Sequence, residues 1–267
     1  MPTSTWIMNE KGGTGKTTLA TVLVEHLQTT GLPVSIVDAD TQPDQKAKSS
    51  LSAIFPAARR IDIGVSPDVL QAKPSLAVAH WDGLFDIARS GHSLVDFGAN
   101  VTESLLFWLD ESEIGPKLAE AKVVLAPVVV TTAHPDSVAD ALALVNRLRE
   151  ALPRGSRRLF VALNCAAGDF DSYADSPEMA AFGELVAAGE LTLVVVPRCG
   201  SEIWRDAERA RITALAAATM AAEDLQSRLK TPVLETARGR KALARWHAAV
   251  VDAFMDGGFF PDDRGAV

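Results

Sequence analysis

The run Asn9-Glu-Lys-Gly-Gly-Thr-Gly-Lys-Thr-Thr18 constrains this chain more than any other feature. It is preceded by a strand-like apolar segment, Thr5-Trp-Ile-Met8, and followed by a helical pattern from Lys16 to Thr30 that Gly31 stops. A strand, a glycine-rich turn and a helix in direct succession make a loop that closes on an anion. Gly12, Gly13 and Gly15 permit backbone dihedrals that a Cβ forbids. Peptide N–H groups then converge on one point, and the helix N-terminus adds its own unpaired N–H groups and its dipole.

The strict phosphate-loop pattern is Gly-x-x-x-x-Gly-Lys-[Ser/Thr]. Gly15-Lys16-Thr17 fits its end, but Glu10 stands where its first glycine belongs, and a second lysine, Lys11, precedes the glycines. In this reading the backbone from Lys11 to Thr18, Thr14 included, forms the cradle. Lys16 places its charge on the outer phosphates, and the Thr17 hydroxyl is a ligand for Mg²⁺.

Further along, strand-like runs alternate with helical ones. Val34–Val37, Ser93–Phe97, Lys122–Val130, Leu159–Asn164 and Leu191–Val196 read as strands, and Pro127 is expected to end the ladder of the third. A helix is expected from Pro135, with Val138, Leu142, Val145 and Leu148 on one face. The strands are apolar on both faces, as in a sheet covered on both sides. The expected fold is therefore α/β: a doubly wound, mainly parallel sheet with helices on both faces, the P-loop NTPase plan. Polar residues at or just beyond strand ends, namely Asn9, Asp38, Asp40, Asp96, Asn164 and Arg198, fall where such sheets bind ligands. No linker or repeat interrupts the 267 residues, so one domain is expected over 1–267, mostly helical from about 201 to 256, with a loose tail over 257–267.

Composition excludes several classes. With 48% apolar residues a core can form, and a net charge of −8 opposes a surface that coats nucleic acid throughout. The longest apolar runs are strand-sized and no signal peptide is legible, so a cytoplasmic location is expected. Cys165 and Cys199 form no Cys-x-x-Cys pair, and the five histidines share no metal-ligand spacing.

Asn9–Thr18 resembles the deviant Walker A segment of the ParA/MinD family of positioning ATPases, and the likeness runs through about residue 215. The resemblance implies ATP and Mg²⁺ as cofactors, an ATP-dependent homodimer and slow hydrolysis. It also implies that Lys11 reaches the partner subunit's phosphates, in the manner of an arginine finger supplied in trans. Asp38-Ala-Asp40-Thr-Gln42 resembles the family's switch I, with Asp40 orienting the attacking water and Asp38 supporting the metal shell. Leu94-Val-Asp96-Phe-Gly98 resembles Walker B and switch II, with Asp96 holding a magnesium-bound water. Asn164 matches the asparagine that reads the adenine edge, and Pro197-Arg198 the segment flanking the base. Thr41, Pro43, Asp44 and Gly98 depart from the family pattern.

Cargo and partners are less constrained. Between Arg198 and Arg245 ten basic side chains face six acidic ones, a local excess that fits non-specific DNA contact on an acidic body. An activating partner protein is expected by resemblance. Membrane anchoring is not expected, because residues 246–256 carry no lysine or arginine on a polar face. Besides partitioning of plasmid, chromosome or protein cargo, two other readings stay open. One is an accessory ATPase of a conjugation, secretion or other assembly system. The other is a P-loop small-molecule ligase, a group that lacks the Lys11 feature.

Overall fold

The structure, a computed structural model, describes residues 1–39, 50–61 and 79–260. Within them lie β1 (Thr3–Met8), β2 (Val34–Ala39), β3 (Arg59–Arg60), β4 (His92–Phe97), β5 (Val124–Thr132), β6 (Leu159–Asn164) and β7 (Leu191–Val196). They form one sheet in the order β3-β2-β4-β1-β5-β6-β7, and every adjacent pair is parallel. β1 is the pivot, with Thr5 opposite Leu94 on one side and Ala126 on the other. The chain winds outward from β1 in both directions, so the loop leaving β1 sits where the connections part.

The helices are α1 (Lys16–Thr29), α2 (Leu51–Ile54), α3 (Asp82–Ser90), α4 (Thr102–Glu111), α5 (Ile114–Glu120), α6 (Pro135–Ala151), α7 (Pro177–Ala187), α8 (Trp204–Arg209), α9 (Ala214–Thr219), α10 (Ala222–Leu229) and α11 (Val233–Asp256). Their termini follow local chemistry. Gly31, in the left-handed region at φ 74, follows α1. Ser176 accepts from the Met179 N–H to cap α7, with Pro177 at the first helical position. Thr213 caps α9 in the same way through the Ala216 N–H.

Alternate strand residues feed two cores. Trp6, Met8, Val95, Phe97, Leu125, Val129 and Val161 pack beneath α3–α7, with Trp81, Trp108 and Phe182. Ile7, Leu94, Ala126, Val128, Val130, Phe160 and Val194 pack on the opposite face beneath α1 and α8–α11. This two-sided burial is why the strands read as unbroken apolar runs. Among the described residues, no helix is long and apolar enough to cross a membrane.

Pro127 is a correction to the sequence reading. It lies inside β5 opposite Trp6, and the ladder with β1 continues through Val128 and Val129. On the β6 side an isolated Leu125–Arg157 bridge precedes the ladder, which starts at Val128–Phe160. The missing N–H therefore falls where pairing with β6 is already interrupted. Of the segment read as a loose tail, residues 261–267 lie outside the described residues. Phe259, by contrast, is buried against Phe160 and Phe254.

Candidate functional site

The carboxyl ends of the central strands open into a cleft of ≈ 500 Å³. One wall is the β1–α1 loop, with Gly12, Gly13, Gly15, Lys16, Thr17 and Thr18 among the lining residues. Gly13 and Gly15 have φ of 76 and 92, and Gly15 is the N-cap of α1. A side chain at Gly15 would also run into the Asn164 amide, so glycine is required there twice over. A loop this tightly bent, followed at once by a helix N-terminus, presents its amides to the cleft as an anion cradle.

The loop is held from several sides. The Lys11 N–H donates to Asn9 Oδ1 at 3.0 Å, and Asn9 Nδ2 donates to the Val130 carbonyl. Lys16 Nζ donates to the Lys11 carbonyl at 3.0 Å, and the Asn100 N–H donates to the Glu10 carbonyl at 3.3 Å. Asn164 Nδ2 donates to the Thr14 carbonyl at 2.8 Å, while its Oδ1 accepts from the Ala166 N–H. The backbone of Lys11 is thus fixed while the residue itself is exposed. Lys16 is buried.

Two acids stand side by side near the carboxyl ends of adjacent strands, and the second of them lines the cleft. Asp38 and Asp96 are the penultimate residues of β2 and β4, in register with one another, and both are buried. Asp38 Oδ2 accepts from the Ser52 N–H at 2.9 Å. Asp96, Phe97, Gly98 and Ala99 line the cleft opposite the glycines. Two buried carboxylates and the hydroxyl of Thr17, which lines the cleft with Asp96, are hard oxygen donors in small number. That set fits Mg²⁺, which takes few protein ligands and fills its shell with water and phosphate oxygens. Asp40, Thr41, Pro43 and Asp44 lie outside the described residues.

Asn164 and Pro197 both line the cleft, with Ala166 and Val196 between them. Arg198 does not: it is exposed on the loop beyond β7. The sequence reading missed the wall contributed from beyond residue 198. Cys199, Trp204, Glu208, Trp246 and Val250 all line the cleft. Trp246 is fixed by its indole N–H, which donates to the Pro197 carbonyl at 2.7 Å, and its ring lies 5.3 Å from that of Trp204.

An acidic cluster borders the loop on its other flank. Arg147 of α6 grips Glu103 of α4 with two guanidinium N–H groups, and Glu10 lies beside them. Burial raises the Glu10 pKa, the negative charges of Glu103 and Asp140 raise it further, and Arg147 opposes them. The hydrogen bond from Arg147 lowers that of Glu103.

A parallel sheet with a glycine-bent loop at its pivot strand, a buried lysine in that loop and two acids at adjacent strand ends define a P-loop nucleotide-binding protein. The sequence model for the CobQ/CobB/MinD/ParA nucleotide binding domain matches residues 5–199, and the chain belongs to that family. Several solved structures are similar in fold. The cell division ATPase MinD of Pyrococcus furiosus is 17% identical over 94% of this chain and 99% of its own, with a TM-score of 0.47. The McdA–ATP complex of Cyanothece is 15% identical over 94% and 96%, at 0.45. MinD in the MinC:MinD complex of Aquifex aeolicus is 18% identical over 89% and 95%, at 0.45. No curated protein matches by sequence.

Proposed function

We propose that this chain is a ParA/MinD-like ATPase. It binds Mg·ATP, pairs with a second copy across the nucleotide and hydrolyses slowly, as a switch that positions or partitions cargo. The observation that carries this reading is the state of Lys11. Its backbone is tied down by Asn9 and Lys16 while its side chain stays at the surface beside the cradle. A lysine so presented is available to a facing subunit's phosphates, whereas Lys16 serves its own. This division of labour separates the ParA/MinD side of the family from its small-molecule ligases.

Within the proposal, the amides of the loop and Lys16 grip the phosphates, and Thr17, Asp38 and Asp96 would hold Mg²⁺. Bound there, the ion supplies charge neutralisation of the phosphate oxygens. Asp40 orients the attacking water, Asn164 and Pro197 flank the base, and Arg198 contacts the nucleotide only if its loop turns inward. The homodimer responds to an activating protein, and the basic block between Arg198 and Arg245 gives weak contact with DNA.

The test is a pair of substitutions. Lys16→Ala abolishes nucleotide binding in calorimetry. Lys11→Ala binds nucleotide within about threefold of the parent but loses dimers with a non-hydrolysable ATP analogue, and turnover falls at least ~10³-fold. Normal dimers of the Lys11 variant in size-exclusion chromatography with light scattering would overturn the in-trans role.

A further inference from the structure

The sheet ends in two edges, and the chain treats them differently. An unpaired strand edge offers its N–H and C=O groups to any passing strand, and proteins blunt such edges by making them short or charged. β3 is blunted both ways: it is two residues long, and both are exposed arginines, Arg59 and Arg60. β7 is blunted in neither. Leu191-Thr-Leu-Val-Val-Val196 carries no charge and no proline, pairs with β6 without a bulge, and is followed by no described strand.

The register shows which groups are left over. The Cys165 N–H donates to the Val196 carbonyl at 3.0 Å, so the backbone of Val196 faces β6. In a parallel ladder alternate residues turn their N–H and C=O groups to alternate sides. Thr192 and Val194 therefore also face β6, while Leu191, Leu193 and Val195 face outward. Val195 is 55% exposed. A groove of ≈ 780 Å³ runs along this edge, lined by residues 191–195. One wall is α7 and the turn after it, through Gly183, Val186 and Gly189; the other is the end of α11, through Ala253 and Gly257. Nothing lies within 4 Å of where a Cβ would stand on Gly183 or Gly189, so the first wall leaves the edge clear.

The charges in the groove select its occupant. Arg154, Arg157 and Arg158 line the end where β7 starts, against Glu190 and Asp256. Glu190 is already held by Arg149 at 2.7 Å and by Arg157 at 3.3 Å. Arg154 and Arg158 donate to the carbonyls of Ala188 and Gly258 instead of to an acid. Burial lowers the Arg158 pKa, as for a cation held partly out of water with no carboxylate beside it among the described residues. Two cations thus remain against the exposed Asp256.

We infer that the β7 edge is a docking site for an extended segment of a partner protein, which adds as a further strand and sets acidic side chains against Arg154 and Arg158. Main-chain hydrogen bonds supply the affinity of such an addition, and the alternate side chains of the segment fall towards α7 on one face and α11 on the other. The inference does not rest on the nucleotide-binding reading, because the arginines stand at the opposite ends of β6 and β7 from Asn164 and Pro197.

The probe is a short peptide of alternating valine and threonine with a pair of glutamates at one end, made in both chain directions, with a lysine-for-glutamate version as control. Each is titrated into the full chain and followed by fluorescence anisotropy. At least one glutamate peptide is expected to bind about 10-fold more tightly than the lysine version. It is also expected to slow hydrogen exchange at the Leu193 and Val195 amides, which a ligand bound elsewhere leaves untouched. Val195→Pro removes an outward N–H that β6 does not use, and abolishes binding. Arg154→Glu, at an exposed position, tests the same groove should the proline cost the fold; it weakens the glutamate peptide about 10-fold and improves the lysine version. Failure of both glutamate peptides to bind, binding without protection of Leu193 and Val195, or undiminished binding by both variants overturns the inference. So does binding that emerges only after residues 261–267 are deleted, which gives the groove to the chain's own terminus. So does a parent chain that is dimeric in light scattering without nucleotide and monomeric as Val195→Pro, which gives the edge to a second copy.

Discussion

Glu10 is the residue at which this chain departs most from a strict phosphate loop, and the structure gives it surroundings of its own. Its carboxyl faces that of Glu103, with Arg147 between helices α4 and α6 as the shared cation. A carboxyl whose pKa is higher folded than unfolded binds its proton more tightly in the native state. Native stability then falls as pH rises from the ordinary value of 4.5 towards the raised one, and the loss persists at neutral pH. Glu103 shifts the other way, so its contribution is lost only as pH falls below the usual carboxylate range, and its exposure keeps that contribution small. Glu10→Gln is therefore expected to stabilise the chain at pH 7 by no more than about 0.5 kcal/mol and to leave stability at pH 4 unchanged. Urea unfolding midpoints at the two pH values check this; a loss of stability at pH 7 would show that Glu10 is a net partner of Arg147 instead of a rival of Glu103.

Among the elements, α11 decides how the cleft is closed. It meets the loop after β7 at Gly239, whose carbonyl accepts from Ser201 Oγ at 3.0 Å. A Cβ there would lie 2.5, 2.8 and 2.9 Å from three atoms of the fully buried Ile203. Alanine gains helix propensity worth about 1 kcal/mol, but overpacking on this scale costs about 1–3 kcal/mol. Gly239→Ala is expected to lose stability by up to about 2 kcal/mol in denaturant unfolding, with partial recovery on adding Ile203→Val. Full additivity of the two changes would place the strain elsewhere. This junction also explains what the sequence concealed. The central strands were legible because both their faces are buried, and the glycine turn because its chemistry is local to ten residues. Trp204, Glu208 and Trp246 reach the cleft only through the packing of α8 and α11, and a spacing of more than forty residues carries no period. Pro127 was misread because a proline's cost depends on which neighbour needs its N–H, and β6 at that point needs none.

At the scale of the whole molecule, charge is divided unevenly: the block from Arg198 to Arg245 is basic on a chain of net charge −8. Part of that block is already spent, since Arg209 pairs with Asp206, Arg238 with Glu202, and Arg240 donates to the Ala218 carbonyl. DNA binding by the ATP-bound dimer is therefore expected to be weak, non-specific and steeply salt-dependent. A mobility-shift series at rising salt checks it; binding indifferent to salt, or none at low salt with ATP, would remove DNA from the proposal. The placement of β1 has a consequence for synthesis. Its Ser4 is matched to Ser93 on one side and to Leu125 on the other. β1 leaves the ribosome before both of its neighbours and must therefore wait, edges bare, until the residues through β5 have followed it. An apolar Trp-Ile-Met segment held open for that long is the stretch of this protein in greatest need of shelter by a chaperone while translation proceeds.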